Sequence, residues 1–466
     1  MGKIKQYRIV IGKNAIFNEK RAAQVLAENI RLVTGARLAI VTDAAAPTEY
    51  EIVVGKTERE LTEPSLGGGF ARSVRGTWEY VLISAQNRLY VTGLGVPGEP
   101  APYTSAYRLI DDGGIGTVFA AKHFVEEILG YDLAWGTFDA FPETPDAEIP
   151  DGYRFLYTRE RLKNELPADT SGPAVWSVPC AERLDWNMSC LIFKTRENRL
   201  VVIDGGFPED AEHVVRVIEH IAWNGKDHGP RPVISAWLYT HLHVDHFGVL
   251  KTLCDDPALR ARVEIRDFYH HLLPLEFYTT VSREHSNALT VAAHAALTGC
   301  AATLGARVHE VERGDVIAVD ELQFEVLRVP AMADGADMNF NDSSVVYRLT
   351  YDGAQTWMLL ADAEWVSCRD LMALPDEKLK SDVVQIGHHG CGNVSLECYR
   401  RIAPRACFWQ IGNRFWYGDN AEGMNTHNTG VIRTRAYVRD CGILPANDYR
   451  NTNSVLRLPL PLPISE

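Results

Sequence analysis

The chain has 466 residues, 46% apolar and 23% charged, the balance of an ordinary globular protein too long for one core, so two domains are expected. Its net charge of −14, from 47 basic and 61 acidic residues, argues against a broad electrostatic face for nucleic acid or anionic membrane. Nine scattered cysteines without a Cys-x-x-Cys pair speak against a disulfide framework, and no secretory or membrane-spanning apolar run stands out, so a cytoplasmic protein is expected.

Residues 19–33, EKRAAQVLAENIRLV, repeat apolar positions at helical spacing and stop at Thr34-Gly35. Strand-like runs follow: RLAIVTD, YEIVVG, EYVLISA and RLYVTG. TVFAAKHFVEEILG (117–130) reads as a second helix closed by Gly130. The glycines of 111–124 and of 93–102 lack dinucleotide or P-loop spacing and read as structural turns. Together these predict an α/β domain over 1–145. A linker rich in proline and acid is expected over 146–172, and a larger mixed α/β domain over 173–466.

In the second domain AVWSVP, SCLIFKT and RLVVIDGG read as strands and PEDAEHVVRVIEHIAW as a helix. VISAWLYT is a buried strand running into THLHVDHFG (240–248). A helix is expected near 284–304, a strand at 322–329, and a hairpin over 344–361 turning at Asp352-Gly353. A strand at 382–386, a helix at 395–403 and a strand at 406–411 complete the pattern.

Three histidines and an aspartate within six positions need something to satisfy them, because unpartnered buried imidazoles are costly. His241 and His243 project to one side of an extended backbone, while Asp245 and His246 turn toward a second point. That arrangement suits two adjacent divalent cations. His270, His271, His285, His294 and His309 lie in helical or loop contexts without ligand spacing and read as structural or solvated.

These residues resemble the metal motif of the metallo-β-lactamase superfamily, whose fold is an αβ/βα sandwich around a dinuclear centre. VVIDGG (201–206), LLADAE (359–364) and VVQIGHHGCGN (383–393) follow in that family's order. NDSSVVYRLTYDG, LLADAE and IGHHG are most similar to the branch holding the nuclease-like domain of competence DNA-uptake channels and the choline-phosphate esterases. The resemblance implies one metal on His241, His243 and Asp362. It implies a second on Asp245, His246, Asp362 and His388, with His388 preferred to His389 because it comes first after the strand. His389 is then left to hydrogen-bond behind the ligands or to protonate a leaving group, and Asp204 to orient a ligand histidine. Zinc, iron and manganese all suit these donors. The further histidine that many members supply to the first metal is missing, and Asn341 or Asp342 stand where it is expected.

The first domain is similar to the non-catalytic N-terminal domain of α-glucuronidases and β-hexosaminidases, on LVTGARLAI, EIVVGKT and GTVFAAKHFVEEILGYDLAW. In FWQIGNRFWYGDN (408–420), Trp416 is a candidate for stacking on substrate, and His427 in MNTHNTG for touching it. The expected reaction is hydrolysis of a phosphodiester in a small or carbohydrate-linked substrate by an activated hydroxide, with nucleic acid disfavoured. The alternatives are a lactone, thioester or amide hydrolase with the same site, and a carbohydrate-binding or scaffold protein with a structural or decayed metal site.

Overall fold

The computed structural model describes residues 2–59, 78–94, 115–131, 146–184, 186–281, 288–335, 337–418 and 426–466. The chain divides into two units, Met1–Arg161 with Tyr417–Met424, and Leu162–Trp416 with Asn425–Glu466. No helix among the described residues is long and apolar enough to cross a membrane.

Six strands build the first unit's sheet: β1 (Arg8–Ile11), β2 (Ile40–Thr42), β3 (Glu51–Val54), β4 (Tyr80–Ala85), β5 (Arg88–Gly93) and β6 (Arg154–Tyr157). They line up as β2-β1-β3-β5-β4-β6, parallel from β2 to β5 and antiparallel at β4 and β6. Helix α1 (Phe17–Thr34) ends at Gly35, whose φ of 74° allows its N–H to cap the Arg31 carbonyl. Helix α2 (Ile115–His123) runs on into a π-helical turn over Phe124–Ile128. Two features were not expected from sequence. The N-terminal RIVI is an internal strand between β2 and β3. Part of the expected linker 146–172 is the edge strand β6, whose RFLY run pairs with β4. Glu51 on β3 is fully buried, and three guanidinium groups, Arg8, Arg59 and Arg88, reach its carboxylate at 2.6, 3.0 and 3.1 Å. Burial opposes ionisation there, but the Arg8 and Arg59 hydrogen bonds win and hold the carboxyl at about 2.

Among the described residues the second unit has fourteen strands. The first six are β7 (Ala174–Ser177), β8 (Cys190–Lys194), β9 (Leu200–Asp204), β10 (Val233–Leu238), β11 (Glu264–His270) and β12 (Arg307–Glu310). Then come β13 (Val316–Val319), β14 (Leu322–Arg328), β15 (Val346–Tyr351) and β16 (Gln355–Leu359). The last are β17 (Val383–Gln385), β18 (Ala406–Trp409), β19 (Asp448–Arg450) and β20 (Leu456–Pro459). They form two seven-stranded sheets, β12-β11-β10-β9-β8-β7-β20 and β13-β14-β15-β16-β17-β18-β19. In each sheet one half is parallel and the other antiparallel.

The two sheets pack on each other, and the period-two pattern of β8 and β9 shows how. Leu191, Phe193, Val201 and Ile203 join Phe324, Tyr347, Trp357 and Phe408 in the core between the sheets. The alternate residues Cys190, Ile192, Leu200 and Val202 join the core beneath helices α3 (Ala211–Ala222), α4 (Val244–Asp255) and α5 (Ala288–Leu304). Burial on both faces explains why these strands read as unbroken apolar runs. Phe193 and Phe324 meet edge to face across the layers at 5.4 Å, and truncating either ring should cost about 3–5 kcal/mol. Helix α6 (Trp365–Met372) packs on β14, and α7 (Leu396–Ile402) on α8 (Thr426–Asp440). The result is an αβ/βα sandwich. His270 and His309 lie on strands β11 and β12, not in the helical or loop contexts expected for them. His285 and the start of the expected helix 284–304 lie outside the described residues.

Candidate metal centre

The ends of β9, β10, β16, β17 and β18 converge on one place. Asp204 closes β9 with φ of 60° and is buried to 1% exposure. Its Oδ1 accepts from the Thr240 N–H at 3.0 Å, and its Oδ2 lies 2.7 Å from His246 Nδ1 and accepts from Ser189 Oγ at 3.1 Å. The carboxylate therefore fixes Nδ1 of His246 as the protonated nitrogen and turns Nε2 the other way. His243 precedes α4, whose first turn carries Asp245 and His246. That turn sits tightly against the chain after β9: the Val249 N–H bonds the Gly206 carbonyl at 3.1 Å. A Cβ on Gly248 would collide with backbone of Gly206 and Pro208, so glycine is required there.

Two groups of donors result. Asp245, His246, Asp362 and His389 form one, His241, His243 and Asp362 the other, each with its donor atoms within 4.8 Å of one another. Asp362 belongs to both: Oδ2 lies 3.3 Å from His246 Nε2 and 3.8 Å from His241 Nε2, and Oδ1 lies 3.6 Å from His389 Nε2. Three of these buried atoms, His246 Nε2, His389 Nε2 and Asp362 Oδ1, make no hydrogen bond. Leaving three such atoms unsatisfied in one spot is expensive unless a cation uses them. The electrostatics agree. Burial and then His246 drive His241 well below the usual imidazole range, leaving it neutral as a ligand must be. Against burial, His246, His389 and His388 hold Asp362 well below the carboxylate range, while Asp362 and Asp204 push His246 up. The pocket draws in positive charge, and divalent cations fit its donors.

Among the described residues, one of the two adjacent histidines falls within a donor group. His389, not His388, joins the four-donor group. Both residues take positive φ, 45° and 51°, so the position following the strand does not decide which side chain turns inward. His389 Nδ1 is anchored on the Gln410 carbonyl at 2.7 Å. Gly390 carries φ of 81° and packs flat on Trp409, where a Cβ would collide. His388 instead lines the cleft, with Nδ1 2.8 Å from Glu364 Oε1 and Nε2 3.3 Å from Asn341 Nδ2. Glu364 also accepts from Asn339 and Asn341, at 2.8 and 2.9 Å. Burial opposes its ionisation, but His388 prevails and holds it at about 2. Glu364 and Asn339 escaped the sequence reading. The carboxylate two residues beyond Asp362 was the available signal.

The remaining candidates separate. Asn341 lines the cleft. Asp342 does not: it is fully buried and accepts the Ser367 N–H of α6 at 2.9 Å. Trp416 is also in the interior, 3% exposed, edge-on to Trp409 at 5.5 Å, with the Arg435 guanidinium 3.8 Å from its ring centre. Large aromatics with nearby cations suggested stacking on substrate, and the protein uses them for packing. His427 falls in the first turn of α8, but its side chain lies outside the described residues. The cleft over the donors has a volume of about 920 Å³, with Trp186 and Phe207 among its apolar lining residues and Arg183 and Arg433 among its cations.

An αβ/βα sandwich with paired metal-type donors at its strand ends is an architecture suited to holding divalent cations. Residues 186–336 match the family model of the metallo-beta-lactamase superfamily. The chain is 32% identical over 136 residues to ComE operon protein 3 of Bacillus subtilis (strain 168), a match covering 28% of this chain and 17% of that protein. Among solved structures it is similar to the metallo-beta-lactamase fold protein YhfI from Bacillus subtilis (11% identity, TM-score 0.34, 61% of this chain and 98% of that one). Another is CmlA, a diiron beta-hydroxylase from Streptomyces venezuelae (15% identity, TM-score 0.36, 62% and 54%).

Proposed function

We propose that the second unit is a two-metal hydrolase of phosphodiesters. The observation that carries this reading is one carboxylate, Asp362, shared by two donor groups at the floor of an open cleft. Two divalent cations bound there would supply an activated water near neutral pH and would offset charge on the phosphoryl oxygens. His241, His243, His246 and His389 would hold the pair with Asp245 and Asp362, and Asp204 and the Gln410 carbonyl would fix the orientation of two of the rings. Glu364 holds His388 with Nδ1 toward the carboxylate, leaving Nε2 toward the cleft beside Asn341. Uncharged asparagine amides and a cation, Arg433, line the space above an acidic floor, which suits a small anionic ester. A carbohydrate-linked phosphodiester is within this class, and the net charge of −14 disfavours long nucleic acid.

The test is elemental analysis of the purified protein together with hydrolysis of bis(4-nitrophenyl) phosphate, with and without chelator. About two metals per chain and chelator-sensitive turnover are expected. Two metals without turnover would overturn the phosphodiester reading and leave a lactone, thioester or amide as substrate. No metal after reconstitution with zinc, manganese or iron would overturn the enzyme reading as a whole.

A further inference from the structure

Building on the phosphodiester reading, we propose that the cleft selects substrates carrying a second anionic group, apart from the ester under attack, and that Arg433 holds it. The two arginines of the cleft differ. Arg183 is committed to the protein, paired with Glu209 Oε1 at 2.6 Å and laid over the Phe207 ring at 4.4 Å. Arg433 donates from one terminal nitrogen to the Gly392 carbonyl and meets no carboxylate among the described residues. A guanidinium has five N–H donors, so most of its hydrogen-bonding capacity faces the cleft or solvent.

Its placement is fixed from two sides. Thr429, Gly430 and Arg433 lie three and four residues apart on α8 and share one face, and all three line the cleft. That face touches the loop after β17: a Cβ on Gly430 would collide with the Cys391 carbonyl. Arg433 is thereby tied to the segment that carries His389, while standing outside both donor groups. The carboxylates of the cleft do not need it. Asp245 and Asp362 belong to the donor groups, and Glu364 is matched by His388. Among the described residues no carboxylate pairs with Arg433, which leaves its guanidinium available to a ligand's negative charge. A guanidinium at a cleft wall binds a phosphate or carboxylate through two parallel N–H donors, adding affinity for a substrate with such a group beyond that for a plain diester.

The experiment compares 4-nitrophenyl thymidine 5′-phosphate with the same compound bearing a 3′-phosphate, reading kcat/KM for each. The wild-type protein should favour the 3′-phosphate at least about tenfold. Arg433→Ala should bring the ratio of the two close to one, and Arg433→Lys should restore part of it. Trp365→Ala, at an exposed position outside the cleft lining, serves as a control and should leave the ratio intact. Metal content of each variant is measured alongside. Equal turnover of the two compounds by the wild-type protein, or an unchanged ratio in Arg433→Ala with two metals bound, would overturn the second-anion site while leaving the phosphodiesterase standing. Turnover of neither compound with two metals bound would overturn both.

Discussion

The two donor groups share Asp362 and little else. Around Asp245, His246 and His389 there are four donors, and two of the imidazoles are pinned from behind, His246 by Asp204 and His389 by the Gln410 carbonyl. Around His241 and His243 there are three; one ring, His241, is steadied from behind by Ser344 Oγ at 3.2 Å, and the two rings touch each other, Nε2 to Nδ1 at 3.1 Å. A ligand oriented in advance loses less freedom on binding. The four-donor position should therefore hold its metal more tightly and the three-donor position should be the exchangeable one.

The largest effect should come from removing what the two positions share. Asp362→Ala should abolish binding of both metals and lower hydrolysis by about 10⁴-fold or more, measured by elemental analysis and initial rates. Retention of one tight metal would show that the positions are independent. Next, the asymmetry itself can be reversed. Titration of the metal-free protein should show two steps separated by at least about tenfold in affinity. His243→Ala should delete the weaker step and His389→Ala the stronger. His388→Ala should keep both steps while turnover drops, and loss of a metal in that variant would restore His388 as the ligand. A smaller change is expected from Asp204→Asn, which keeps every ligand and weakens the hold on His246. Its stronger site should weaken by about 10- to 100-fold with the weaker step unmoved.

The same asymmetry governs what could be read from the sequence. His241, His243, Asp245 and His246 were legible because one strand-to-helix turn carries them all, so local spacing determines their directions. Asp362 came only from the family resemblance of LLADAE, and it lies just beyond β16, which ends at Leu359. The choice between His388 and His389 was not, because both occupy the left-handed region and the deciding contact comes from Gln410, on the next strand of the sheet. The burial of Asp342 and Trp416 was not legible for a related reason: it depends on residues outside the local stretch, Ser367 on α6 for one and Arg435 on α8 for the other. Strands with continuous apolar character such as β8, β9 and β10 stood out. The polar edge strand β12, RVHE, and the mixed β11, EIRDFYH, carried no alternation to mark them.

A last contrast sets a buried histidine outside the centre against one within it. His213 on α3 is 2% exposed and reaches the Glu165 carbonyl from Nε2 at 3.0 Å, while its Nδ1 has no hydrogen-bond partner. Burial drives it down to about 4, helped by Arg216 and Lys163, whereas Asp204 and Asp362 push His246 the other way. Above pH 6.5 His213 is neutral in folded and unfolded chains alike and has no linkage effect. As pH falls from 6.5 toward 4 the unfolded chain takes up a proton that the folded one refuses, so stability declines by about 1.4 kcal/mol per unit. Below 4 the loss is complete. Asp210, one turn earlier and raised by burial to about 6, acts in the opposite sense over part of this range, so the comparison must be between variants. His213→Gln should show a shallower fall in urea midpoint between pH 7 and 4.5 than the wild-type protein, with metal content and turnover at neutral pH unchanged. Parallel curves would mean that His213 is protonated in the folded state, and that burial beneath α3 costs the imidazolium far less than its surroundings imply.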